Sequence, residues 1–273
     1  MANKFFIPLF ILFSIIFLNT VQSQTDSTNS SDSYYPYVKD INFYSGNYSF
    51  YAHYDTSKWT SVLTVKFKGK VIASPEFDGW IDTINAYDFN HDGKKYLAIG
   101  SYTGGAHCCV ILHLGVMEDG KFKIPDTLFI GNAGFNIADI DNDGILEIES
   151  ASDMFAYAFT NYAETRFPPR VYRIKNNKFK DVTKNYPKKV LDYIEELKKD
   201  LKEFTDNGFQ CFGPNDDTFN TDAGSVKTIL ATITACYYSI GDVKKGYDLI
   251  DKTYKCPDKE AYKKILKDEF KLK

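Results

Sequence analysis

Histidine is scarce in this chain, with only His53, His91, His107 and His113 in 273 residues. The arrangements that enzymes build around it are missing too. There is no His-Glu-x-x-His pair for a helical zinc site, no Gly-x-Ser-x-Gly elbow for a nucleophilic serine and no glycine loop of the kind that cradles phosphate. Each absence removes a class of catalyst. No cluster of basic residues occurs and the formal charge is −3, which argues against nucleic acid as a partner. The only long apolar run, residues 5–18, falls short of the ~20 residues a membrane helix needs. No cysteine follows that run, which argues against a lipid anchor.

The run reads instead as the core of a signal peptide over residues 1–23. Lys4 is its charged start, and Val21, Gln22 and Ser23 form a small-residue cleavage site, with cleavage expected after Ser23. A secreted or periplasmic location follows, with no transmembrane segment in the mature chain. Residues 24–33, made of Ser, Thr, Asp, Asn and Gln, have too little apolar surface to offset the entropy of ordering and are expected to be a disordered linker. Five cysteines in an exported chain predict disulfides, and the odd count leaves at least one thiol over. The expected pair is Cys211 with Cys256. Cys236 falls on the apolar stripe of a helix and is expected to be a buried free thiol.

Acidic residues are concentrated in one place. Residues 139–147, Asp-Ile-Asp-Asn-Asp-Gly-Ile-Leu-Glu, bring four carboxylates into one short turn. Like charges about 4 Å apart repel by roughly 1 kcal/mol even in water, so the turn reads most naturally with a cation at its centre. Calcium takes six to eight oxygen ligands, and acids at positions 1, 3, 5 and 9 with a main-chain carbonyl at 7 supply them. The predicted ligands are Asp139, Asp141, Asp143, the carbonyl of Ile145, and Glu147. Gly144 at position 6 permits the sharp bend. Position 12 is Ser150 rather than Glu, and the flanks alternate apolar and polar residues, so this is a strand-loop-strand site and not an EF-hand. A weaker copy starts 51 residues earlier, with Asp88, Asn90, Asp92 and the carbonyl of Lys94 as candidate ligands and Tyr96 in place of the ninth-position acid. A period near 50 belongs to propeller blades and similar β arrays.

The surrounding text agrees. Strands are expected over 43–44, 48–54, 61–67, 71–72, 96–102, 109–116, 121–129, 146–150 and 170–174, separated by turns such as Lys68-Gly69, Asp119-Gly120 and Asn176-Asn177. Near Pro187 the period changes. Val190, Ile194, Leu197, Leu201 and Phe204 recur at steps of 4 and 3, predicting a helix that stops at Asn207-Gly208. Val226, Ile229, Leu230, Ile233, Tyr237 and Ile240 mark a second apolar stripe. A third helix is expected with Asp242 as its cap, and a fourth after Pro257-Asp258. The predicted class is α+β: a β-rich domain over 34–183 of about three blade-like units, an incomplete propeller or irregular β array, followed by a small helical domain over 184–273.

The two aspartate loops, their alternating flanks and their spacing resemble FG-GAP or VCBS-type repeats, the calcium-bearing blades of integrin α propellers. A closer resemblance is to exported FG-GAP-like proteins with the Gly-Gly-Ala-His-Cys-Cys run found here at residues 104–109. The resemblance implies a calcium-binding module for adhesion or ligand binding, with structural calcium and an unidentified protein or carbohydrate partner, rather than an enzyme. Two alternatives stand beside it. A secreted hydrolase would pair His91 or His107 with a carboxylate near the Asp88 loop. A copper or redox protein would use His107, Cys108 and Cys109, although adjacent strand residues point to opposite faces, which favours a disulfide there.

Overall fold

Three two-residue turns set the β frame. Lys68-Gly69, Asp119-Gly120 and Asn176-Asn177 all have positive φ at both central residues, the type I′ geometry whose twist matches a hairpin. They close the pairs Phe67 with Lys70, Glu118 with Lys121, and Lys175 with Lys178. Each is the last hairpin of a four-stranded antiparallel meander. The computed structural model describes residues 40–105, 108–213 and 217–273. The signal peptide, the linker and His107 lie outside the described residues.

The first sheet runs β1 (Ile41–Ser45), β2 (Tyr48–Asp55), β3 (Thr60–Phe67), β4 (Lys70–Ala73), with β5 (Glu76–Asp78) beside β3. The middle sheet is β6 (Trp80–Tyr87), β7 (Tyr96–Tyr102), β8 (Val110–Glu118), β9 (Lys121–Gly131). The third is β10 (Asn136–Ala138), β11 (Glu147–Ala151), β12 (Pro169–Lys175), β13 (Lys178–Asp181). Alternation along β7 explains the stacking. Leu97 and Ile99 face a core shared with Phe50, Leu63 and Val65 of the first sheet, while Tyr96 and Ala98 face a core shared with Ile148 and Ile174 of the third. Sheet two is therefore packed on both faces. The class is α+β, with three blade-like sheets, one fewer than the smallest closed propeller.

Three strands escape the sequence reading, the shortest being the three-residue β5. In β6 a bulge between Ile81 and Thr83 breaks the two-residue alternation, so that buried Ile81 and Ile84 fall three apart. β13 is four residues with a single apolar side chain, Phe179, and carries no pattern.

Four helices follow: α1 (Pro187–Asn207), α2 (Asp222–Ser239), α3 (Val243–Thr253) and α4 (Lys259–Asp268). α1 starts with Pro187, whose fixed φ suits the first turn, and ends at Gly208 with φ 68°. Val190, Ile194, Leu197 and Leu201 of its expected stripe are buried and Phe204 is half-buried against the same core. α2 differs from expectation, because every residue from Ala223 to Tyr237 is buried, including Lys227 and three threonines. The helix is enclosed by its neighbours instead of showing one apolar face. Lys227 is held by an ion pair to Asp258 and a 2.8 Å hydrogen bond to Thr218 Oγ1, and Thr234 bonds its own Leu230 carbonyl at 2.7 Å. Asp242 precedes α3 but makes no side-chain cap. The helical core also takes Phe155 and Phe159 from the segment between β11 and β12, and residues 37–273 form one compact unit. Cys211 and Cys256, with Cα atoms 5.3 Å apart, form a disulfide across this core. Cys236 is a buried free thiol whose burial pushes its pKa up to about 12.

Gly246 is where α3 meets α2. A Cβ there would sit 2.6 Å from Thr234 Cα, with backbone on both sides unable to give. Gly246→Ala is expected to lower the unfolding free energy by about 1–3 kcal/mol. Urea denaturation reads it directly, and an unchanged midpoint would show that the two helices are not in backbone contact.

Candidate metal centre

The loop between β10 and β11 is built by its own first carboxylate. Asp139 accepts the N–H groups of Asp143 at 3.0 Å and Gly144 at 2.9 Å, and Asp143 Oδ1 accepts the Ile145 N–H at 2.9 Å. Gly144 has φ 85° and Asn142 φ 60°, the left-handed conformations that turn the chain back on itself. The loop between β6 and β7 repeats this bond for bond. Asp88 accepts from Asp92 at 3.0 Å and Gly93 at 2.9 Å, and Asp92 Oδ1 accepts the Lys94 N–H at 2.9 Å. The loops also touch, with the Leu146 N–H donating to the Phe89 carbonyl at 2.9 Å and His91 Nδ1 lying 3.3 Å from the Gly144 carbonyl.

They diverge at position 9. Glu147 is fully buried; its Oε2 accepts the Ile140 N–H at 3.0 Å and its Oε1 accepts from Arg173 Nε. The same guanidinium reaches Asp143 Oδ2 at 2.8 Å and Asp141 Oδ2 at 3.2 Å through Nη2. Sheet register explains the meeting, since Ile148 pairs with Tyr172 across β11 and β12, which puts Glu147 and Arg173 next in line. Tyr186, just ahead of α1, hydrogen-bonds Glu147 and lies with its ring centre 5.9 Å from the guanidinium carbon. Burial, then Glu147, pushes the Tyr186 hydroxyl well above its ordinary range. The Ile145 N–H, and after it Arg173, holds the Asp143 carboxyl below the usual range. In the other loop Tyr96 takes the ninth place and donates to Asn177 Oδ1 at 3.1 Å, while Lys94 Nζ pairs with Glu118 and reaches Asn177 at 3.2 Å.

Among the described residues one group of acids is placed to share an ion. Asp139, Asp141 and Glu147 each offer an oxygen, all within 4.8 Å of one another. Calcium–oxygen distances of about 2.3–2.6 Å allow ligands on opposite sides of an ion to lie about 5 Å apart, so the spacing fits. Asp143, also predicted as a ligand, faces Arg173, and Ile145 contributes its N–H to the turn. Asp88, Asn90 and Lys94 are half-buried and Asp92 is exposed, and among the described residues no third acid joins Asp88 and Asp92. Sequence reasoning missed Arg173 and Tyr186. Both reach the loop from elsewhere in the chain, and only a meander that places β12 beside β11 could have pointed to Arg173. A cavity of about 660 Å³ opens between this loop and the start of α1, with Asp141, Tyr186, Lys189 and Tyr193 among its walls.

The histidines serve other ends. His91 faces a carbonyl, not a carboxylate. His113 on β8 has Ser101 Oγ at 2.9 Å from Nε2 and Thr127 Oγ1 at 3.2 Å from Nδ1, with the Phe77 ring edge-on. The sulfurs of the adjacent Cys108 and Cys109 lie against each other, in keeping with the disulfide expected there.

These features define an α+β protein of three blade-like sheets with paired aspartate hairpins. No family model matches the chain and no solved structure matches it, so neither comparison supports the FG-GAP or VCBS resemblance read from the sequence. It is similar to a probable thylakoid lumen protein of Synechocystis sp., 29% identical over 138 residues that make up 48% of this chain and 40% of that protein. It is also similar to an uncharacterized protein of Sinorhizobium fredii, 22% identical over 122 residues, 42% of this chain and 19% of the other. The chain spans less than half the length of either relative.

Two outcomes follow. Glu147→Gln leaves Arg173 facing a buried neutral group and is expected to cost about 3 kcal/mol, whereas Asp141→Asn at the exposed rim changes stability by no more than about 0.5 kcal/mol. Similar losses in urea melts would place the two acids in equivalent surroundings. Burial lowers the His113 pKa from 6.5 to about 4, so between these values the unfolded chain binds the proton and the folded chain does not. The contribution is fully present above pH 6.5 and is lost as pH falls toward 4, with a slope of up to about 1.4 kcal/mol per pH unit. His113→Gln should flatten that part of the stability profile.

Proposed function

We propose that the chain is an exported calcium-binding module, in which a structural ion at the Asp139 loop rigidifies the third sheet and the protein acts by binding a protein or carbohydrate partner. The observation that carries the metal is the convergence of Asp139, Asp141 and Glu147 oxygens around a glycine-hinged turn. The donor set is all oxygen, which suits a hard cation. Export is supported by the apolar segment at residues 5–18 and by the similarity to a relative named as a probable thylakoid lumen protein. A binding role is supported by the cavity beside the loop, where the two tyrosines offer flat faces with polar tips. A second reading has its own support. Arg173 already neutralises part of the cluster, so the loop could be a self-contained ion-pair turn that takes no metal.

Charge arithmetic favours the first reading. Four carboxylates against one guanidinium leave three negative charges in one turn. Extracellular modules bind calcium with dissociation constants of roughly 10⁻⁴ to 10⁻³ M, so about 10 mM calcium would stabilise the fold by about 1.4–2.7 kcal/mol. For a chain of this size that is a rise in Tm of about 3–10 °C over a chelator-treated sample. Asp141→Asn should abolish the rise while leaving the chelated Tm nearly unchanged. Identical melting of the wild type with calcium and with chelator would decide for the ion-pair turn.

A further inference from the structure

We propose that Arg173 is the built-in competitor of the metal, a residue that holds the loop together when no ion is bound and sets how tightly the ion is taken. The inference rests on the calcium reading above and adds the residue that tunes it. The guanidinium occupies Glu147 through Nε and reaches Asp141 and Asp143 through Nη2. Two of those three acids, Asp141 and Glu147, belong to the group placed to share an ion. One set of oxygens therefore has two claimants, one carried on β12 and one from solution.

Chemistry decides how they share it. A guanidinium and a divalent ion on the same carboxylates repel each other strongly, so filling the loop drives the Arg173 head away. The guanidinium already lies against the Tyr186 ring, and that ring also borders the cavity, so the head can slide outward along it while keeping the aromatic contact. Asp139 is not contested, since Arg173 does not reach it; it offers an oxygen to the ion while accepting the Asp143 and Gly144 N–H groups, which keep the loop in shape in either state. Glu147 is the reason a competitor is needed. A carboxylate with no exposure is costly without a charged partner, and Arg173 is the partner that keeps the metal-free loop folded. The result is a site that tolerates loss of calcium and responds to divalent ions, with an affinity below what its ligands alone would give.

Calcium titration calorimetry on the full chain tests this. Arg173→Gln is expected to bind calcium at least tenfold more tightly than the wild type and to melt lower in chelator, with calcium closing the gap. Arg173→Lys, a point charge that cannot span three carboxylates, should fall between. An Arg173→Gln chain that folds only in calcium would support the proposal as well, since the ion then does the work of the missing guanidinium. On the wild type itself, the Arg173 Nε–H resonance in NMR should shift on calcium saturation as its bond to Glu147 breaks. Calcium binding by the wild type with unchanged affinity in both variants, or with an unmoved Nε–H resonance, would overturn the role of Arg173 and leave the calcium reading standing. No binding to the wild type or to Arg173→Gln at about 10 mM would remove both.

Discussion

A carboxylate with no access to water has to be answered by charge or by hydrogen bonds, and Glu147 is such a group. Its position determines much around it. It opens β11, so its side chain direction is fixed by the strand, and it receives Arg173 from β12, Tyr186 from the start of α1 and the Ile140 N–H from its own loop. Three parts of the chain separated by up to 46 positions meet on one side chain, if counted from Ile140 to Tyr186. The third sheet and the helical part are thereby linked through an acid, not only through apolar packing.

The two aspartate hairpins act as a comparison made within one molecule. Their backbones share the same hydrogen bonds at positions 1 and 5 and the same positive φ at positions 4 and 6. Loop shape therefore does not depend on the ninth residue. What changes is the network behind it: an acid with a guanidinium in one loop, a tyrosine with an asparagine in the other. The shared scaffold and the divergent ninth position separate the shape of the turn from the partners that pack behind it.

Much of the architecture was legible because it is written locally. Turns demanding positive φ, such as Asp119-Gly120, and stripes such as Val190, Ile194, Leu197 and Leu201 depend on neighbours a few positions away. β6 was hidden by its bulge, which imitates a helical step, and β13 by its brevity. In α2 the apolar stripe was visible, but the burial of the other faces was not; Lys227, Thr232 and Thr234 tolerate it because their polar atoms find Asp258, the Arg166 carbonyl and the Leu230 carbonyl. The acids of the candidate centre could be named from spacing. Arg173 and Tyr186 could not, because their role comes from register between strands and from where a helix begins.

The enclosure of α2 has a consequence for how the chain reaches its fold. Its covering includes Phe155 from well before it and Leu272 from well after it, so no continuous stretch of nascent chain can shield it. Until those distant segments arrive, an apolar rod remains open to solvent and to any chaperone or protease that reads exposed hydrophobic sequence. A version of this protein missing either contributor would advertise its own incompleteness through that helix.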